Sequence, residues 1–131
     1  MTTAGRRMGD RHGTLAAVRT AHSAVFLVEL WAISWLLATG VLGRGGRSVK
    51  VAAMLVAGES AVFVANRGVC PLTPLAERYG AEHGGVSDIF LPSPVARTIP
   101  YWSTPLVVAG FALHAGRYAR GRCRPRRPRP T

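Results

Sequence analysis

The sequence predicts an all-α membrane protein of three transmembrane helices, with a Pro-rich interfacial loop that contains short helices between the second and the third. Residues 23–43 form an apolar run in which Glu29 is the only charged residue. Further apolar runs cover 48–66 and 100–119. The segment 67–99 between them carries four prolines and charges of both signs, so it is predicted to lie at the interface and not to span.

The composition supports this class. The 131 residues include 17 Lys plus Arg and 6 Asp plus Glu, which gives a net charge of +11, yet 48% of the chain is hydrophobic. A soluble basic protein of this size is expected to scatter its charges along the chain, whereas here they flank apolar runs. The length allows a single domain. We predict no enzyme, because no catalytic motif is present, and no cofactor or metal site, because Cys70 and Cys123 match neither a disulfide framework nor a zinc site.

The first two helices follow from the ends of their apolar runs. Residues 1–13 are polar, Gly-rich and basic, and are predicted to be disordered; a single membrane domain follows over 14–120. Helix one is predicted to begin as early as Thr14, and its 21 apolar positions over 23–43 cover about 30 Å, the thickness of the hydrocarbon core. A Gly-rich turn after Gly43 ends it, and Ser48 is predicted to cap helix two.

The third helix is predicted over 100–119, with either Thr98 or Ser103 as its cap. The tail over 121–131 alternates Arg and Pro, so it is predicted to be disordered and to contact anionic lipid headgroups. Three spans place 7 Lys and Arg on the side of the N-terminus and the loop, and 10 on the other side. This bias predicts a multi-pass protein of the inner (plasma) membrane with a cytoplasmic C-terminal tail, although four N-terminal arginines favour the opposite orientation.

Two carboxylates lie inside predicted spans. Glu29 and Glu59 are expected at similar depth if helices one and two form an antiparallel hairpin. An intramembrane carboxylate is costly and needs a partner, a proton or water. We therefore predict a polar cluster of His22, Glu29, Glu59 and Asn66. The alternative is that each of these residues is satisfied separately by helix packing and shallow depth.

A stripe of small residues recurs every four positions on helix two. The spacing predicts a helix-packing face that meets helix one through Ser34 and Ala38, and it suggests a homo-oligomer or a membrane-protein partner. The alternative is that the stripe is fortuitous, because alanine is common. The residues of the stripe are Ala53, Ala57, Ala61 and Ala65.

A tight corner is predicted directly after helix two. Pro71 ends the helix, and Thr73 with Pro74 then starts a short helix that Gly80 closes. The corner either lays the following segment on the membrane surface or forms a loop that covers the polar cluster.

The corner also carries a family resemblance. The motif CPLTPLAE, a later Gly-Gly pair and the segment DIFLP resemble the signature of a family of small bacterial inner-membrane proteins classed only as a domain of unknown function. The resemblance implies the three-span architecture over about residues 20–120 and lends no activity, substrate or cofactor. The loop-motif residues are Cys70, Pro71, Leu72, Thr73, Pro74 and Asp88.

These observations predict a small polytopic membrane protein with an accessory or structural role, acting through helix packing and oligomerisation in the lipid bilayer. The alternative is a proton- or ion-coupled transport component that uses Glu29 and Glu59. Nucleic acid is not an expected partner, because most basic residues flank spans as topology signals.

Overall fold

A computed structural model describes residues 3–80 and 91–123, with side chains described for 9–80, 91–92 and 94–123. Within these ranges the chain is all-helical. The helices are α1 (Thr3–Leu42), α2 (Arg47–Ala65), α3 (Leu72–Arg78), α4 (Ser93–Ala96) and α5 (Ile99–Arg122). Two of them, α1 over Gly9–Leu42 and α2, are long and apolar enough to cross a membrane. No third helix in the described part of the chain meets this condition. Helix α5 is less apolar, because Pro100, Pro105 and His114 lie within its apolar run.

Helix α1 is longer than the sequence predicts. It begins at Thr3, so residues 3–13, predicted as disordered, are helical, and its 40 residues extend about 60 Å. No proline occurs before Pro71, so nothing in this stretch forces a break. The Thr14 hydroxyl donates to the Asp10 carbonyl at 2.9 Å, which places Thr14 inside a helix and not at its start.

The turn between α1 and α2 depends on two glycines. Gly43 has φ 69°, and the Arg44 N–H donates to the Thr39 carbonyl at 2.9 Å, as in a Schellman C-terminus. Gly46, with φ 140°, occupies the N-cap position of α2, which is a backbone geometry that other residues rarely adopt. The prediction that Ser48 caps this helix is therefore wrong, and α2 begins one residue earlier than expected.

The predicted corner is present with a shifted start. Helix α3 begins at Leu72 with Pro71 at its N-cap position, so Thr73 and Pro74 lie inside the first turn and Thr73 is not the cap. The Thr73 N–H donates to the Cys70 carbonyl at 2.9 Å. Gly80, with φ 103°, follows the end of the helix as predicted.

Helix α5 starts at Ile99 after an N-cap at Thr98, although the Thr98 hydroxyl donates backwards to the Val95 carbonyl at 2.7 Å and does not cap the helix. It continues to Arg122, which makes the first two residues of the predicted disordered tail helical. Residues 124–131 of that tail lie outside the described residues, as do the rest of the predicted loop at 81–90 and its Asp88.

Helix α1 is the centre of the fold and contacts α2, α3 and α5. The main core lies between α1 and α2, and Val107 and Phe111 of α5 pack against it. A smaller cluster joins Val18 of α1 to Ala76 of α3. The buried residues of the main core are Ala32, Ile33, Leu36, Ala52 and Val56.

Candidate functional site

Glu29 and Glu59 line one groove between α1 and α2. Both side chains are half-buried, and the groove has a volume of about 470 Å³. The antiparallel pairing that brings Leu36 against α2 in the core also brings Glu29 level with Glu59. Both carboxylates therefore belong to one groove, and their equal depth in a bilayer stays a prediction. The lining residues are Ala24, Val25, Val28, Glu29, Met54, Leu55, Gly58 and Glu59.

The groove is apolar apart from its two carboxylates. The two carboxylates lie on opposite sides of this groove, one on α1 and one on α2. Within the described side chains, neither carboxylate accepts a hydrogen bond from a protein donor or forms an ion pair. Two such groups in apolar surroundings suit a shared proton or a cation, because either one relieves both repulsion and desolvation.

The other two members of the predicted cluster lie apart from this groove. Asn66 is exposed, and its side-chain amide donates to the Val69 carbonyl at 2.7 Å, so it stabilises the turn after α2. His22 is half-buried on α1, two turns before Glu29, and does not line the groove. Of the four residues of the predicted cluster, Glu29 and Glu59 line the groove.

The corner packs against the N-terminal part of α1 and not against the carboxylates. Ala76 is fully buried against Val18, and Leu15 and Leu72 pack around them. None of the groove-lining residues belongs to the described parts of the loop, 67–80 and 91–98. Val18 precedes Glu29 by three helical turns, which explains the separation. Cys70 is half-buried at the start of the corner.

The small-residue stripe of α2 is not the face that meets α1. Ala53 is half-buried, whereas Ala57, Ala61 and Ala65 are exposed. The α1 positions predicted to receive the stripe, Ser34 and Ala38, are exposed as well, and the Ser34 hydroxyl donates to the Leu30 carbonyl at 2.7 Å. The contact between the two helices is made instead by the neighbouring face that contains Ala52 and Val56.

A polar contact between α1 and α5 was not predicted. Nε2 of His114 lies 3.0 Å from the Leu36 carbonyl and 3.3 Å from the Thr39 hydroxyl oxygen. Since a carbonyl only accepts, Nε2 carries the proton. The Thr39 hydroxyl donates to the Trp35 carbonyl at 2.6 Å, which leaves its oxygen free to accept from His114.

Arg117 extends this contact by one turn. Its Nη2 donates at 2.6 Å to the Val41 carbonyl, one of the last four of α1, which have no partner within the helix. The His–x–x–Arg spacing on α5 was the available sequence signal, because it places both side chains on one face.

Two glycines allow α1 and α5 to approach closely. A Cβ on Gly40 would lie 2.9 Å from Cβ of Leu113, and a Cβ on Gly110 would lie 3.4 Å from Cβ of Leu36. The pairs Leu36–Gly110 and Gly40–Leu113 advance together along both helices, so α1 and α5 run in the same direction.

Among the described residues no group of three or more His, Cys, Asp or Glu is placed to hold a metal ion. Comparisons of the chain with protein-family profiles, curated proteins and solved structures find no significant match.

Proposed function

We propose that the chain is a three-span integral membrane protein with an accessory or structural role, which acts through helix packing and self-association. The supporting observation is the apolar surface that the single chain leaves uncovered on α1 and α2. Leu27, Met54 and Val64 are 62, 75 and 75% exposed. Such a surface requires a bilayer or another protein to cover it.

The third span is α5 in this proposal. Its 24 residues extend about 36 Å. It runs parallel to α1, so the C-terminal ends of these two helices point to the same side. The side of the α3 corner then faces away from the cytoplasm, and the C-terminal tail is cytoplasmic in the inner membrane. The resemblance of the corner to the CPLT family agrees with this arrangement and stays a prediction.

Thiol labelling tests the arrangement. Cys123 is exposed and reports the side of the tail. Cys70 is half-buried, so Arg78→Cys in a Cys70→Ser background gives a matched exposed reporter on α3. In intact cells a membrane-impermeant reagent should label the residue-78 cysteine and not Cys123, and permeabilisation should expose both. Equal labelling of the two in intact cells would contradict three spans. Labelling of Cys123 alone would show that the protein has the opposite orientation in the membrane.

The exposed alanines of α2 are the proposed self-association surface, because small side chains let helices approach closely. Ala57→Leu and Ala61→Leu should reduce the dimer fraction measured by inter-subunit cross-linking in membranes. Val62→Leu is the control, because Val62 is an exposed residue on a different face of α2. An unchanged dimer fraction in both alanine variants would contradict this surface.

A second candidate is a proton- or ion-coupled transport component. It is favoured by the groove that Glu29 and Glu59 share. Glu59→Gln should abolish proton or cation flux into liposomes that contain the purified protein while leaving insertion intact, and Asn66→Asp should preserve flux because Asn66 lies outside the groove. Equal flux in wild type and Glu59→Gln would remove this candidate.

A further inference from the structure

We propose that the face of α5 beside its contact with α1, near the C-terminus of the helix, binds the phosphodiester headgroup of an anionic phospholipid, with an acyl chain along the helix. The proposal rests on the three-span arrangement, because it requires α5 to lie in the bilayer. The site is a second groove of about 440 Å³, called here the headgroup groove. Its lining residues are Ala109, Ala112, Leu113, Arg117 and Arg120.

The headgroup groove is amphipathic along the helix axis. Its three apolar residues lie toward the middle of α5, and its two arginines lie toward the helix end. Gly116 lies between these two parts, and a Cβ there would be 3.8 Å from Nη2 of Arg120. The Arg120 side chain therefore turns back over Gly116, toward the apolar part, as helical side chains generally do. An apolar strip that leads to two cations matches an acyl chain joined to a phosphate.

A hydrogen bond to α1 positions the Arg117 side chain at the headgroup groove. One of its five N–H donors is used on the Val41 carbonyl, which fixes the guanidinium between α5 and the end of α1. The remaining donors are available for a planar, charge-assisted contact with phosphate oxygens. Arg120 supplies a second guanidinium one turn further along the same face.

The charge of this end of the bundle selects an anionic ligand. Residues 30–58 and 89–131 contain no Asp or Glu, so no carboxylate in these segments competes for the arginines. Arg44, Arg47 and Lys50 are exposed at the same end, and the Arg122 guanidinium lies over the Tyr118 ring at 4.9 Å from its centroid. Cationic pockets at the membrane surface bind anionic headgroups in preference to zwitterionic ones.

The test is lipid retention by the full chain, measured by native mass spectrometry after purification from nanodiscs that contain equal phosphatidylglycerol and phosphatidylcholine. Wild type should retain phosphatidylglycerol preferentially. Arg120→Gln should lower that retention about fivefold, because one basic residue contributes a factor of about that size to binding at an anionic surface. Arg47→Gln is the matched control, because it removes one exposed arginine at the same end outside the groove. Equal losses in both variants, or none in either, would overturn the proposal.

Two further measurements separate binding of a whole lipid from binding of a phosphate group alone. Ala112→Trp fills the apolar part without changing charge and should also reduce retention, whereas full retention would contradict the acyl-chain contact. Glycerophosphoglycerol, the headgroup without chains, should not displace the lipid at equal concentration; displacement would identify a plain phosphate site and overturn the lipid assignment.

Extraction of the wild-type protein from membranes at alkaline pH would reject the membrane proposal itself. Retention of the protein in membranes at that pH, with no lipid preference, would reject only this inference.

Discussion

The α1–α2 interface and the α1–α5 interface differ in whether their polar side chains have hydrogen-bond partners. Between α1 and α2, two carboxylates share an apolar groove without a hydrogen bond from the described residues. Between α1 and α5, His114 and Arg117 donate to backbone carbonyls of α1. The α1–α5 interface is therefore held by specific polar contacts and close approach, whereas the α1–α2 interface is held by its apolar core, with the two carboxylates beside that core.

Leu36→Ala should have the largest effect, because this side chain serves both interfaces. It is 1% exposed in the α1–α2 core, and its Cβ lies against Gly110 of α5. Truncating a buried leucine costs about 2–5 kcal/mol. SDS-induced unfolding of the protein in mixed micelles, followed by far-UV circular dichroism, measures the loss. Leu27→Ala is the control at an exposed position, and an equal loss there would mean that Leu36 has no special place in the packing.

Gly40→Val should affect the α1–α5 interface alone. The added Cβ would meet Cβ of Leu113 at 2.9 Å, so the helices must separate, at a cost of about 1–3 kcal/mol. Disulfide cross-linking between cysteines introduced on α1 and α5 should fall, while cross-linking between α1 and α2 should be unchanged. Gly58→Val is the matched control, because nothing lies within 4 Å of a Cβ there. A parallel loss of both cross-links would contradict independent interfaces.

The His114 contact is measurable by a double-mutant cycle with Thr39. His114→Leu should destabilise the protein by about 0.6–1.7 kcal/mol, the range for hydrogen bonds between membrane helices. Thr39→Val should lose part of the same energy, so the double variant should cost less than the two single losses combined. Strict additivity in the unfolding free energies would show that the 3.3 Å contact contributes nothing.

The smallest effect is expected at the carboxylates. Glu29→Gln and Glu59→Gln should each raise the unfolding free energy at neutral pH by less than about 1 kcal/mol, because each removes a charge from an apolar groove and relieves repulsion. The gain from the second substitution should be smaller than the first, since the repulsion is already gone. Destabilisation by either change would instead indicate a shared proton or a bound cation that stabilises the two carboxylates.

Local signals in the sequence predicted much of this architecture. The second apolar run predicted α2 to within one residue at each end, and Gly43 was correctly expected to end α1. The caps were less predictable, because Gly46 and Pro71 hold positions for which Ser48 and Thr73 looked suitable. A glycine at an N-cap acts through its backbone conformation and not through a side-chain bond, so the usual capping signal is absent.

The candidate site was predictable only in part. Antiparallel helices of known length predict Glu29 level with Glu59, and both residues line the groove. His22 and Asn66 lie about two helical turns from Glu29 and Glu59 along their own helices, and the amide of Asn66 is used by its own turn. Spacing along a helix predicts which residues share a face, but it does not predict which of them a groove between packed helices includes.

The composition of continuous segments is enough to predict the all-helical class, the two helices able to cross a membrane and the accumulation of positive charge without acids at one end. The helix faces that meet, by contrast, are evident from the packed structure and not from composition. In a soluble protein the apolar stripe marks the buried face, whereas lipid is as apolar as a protein interior, so hydrophobicity carries no such mark. Shape and packing therefore explain why Ala52 and Val56 meet α1 and the Ala57 stripe does not. They also explain the close approach of Gly40 to Leu113.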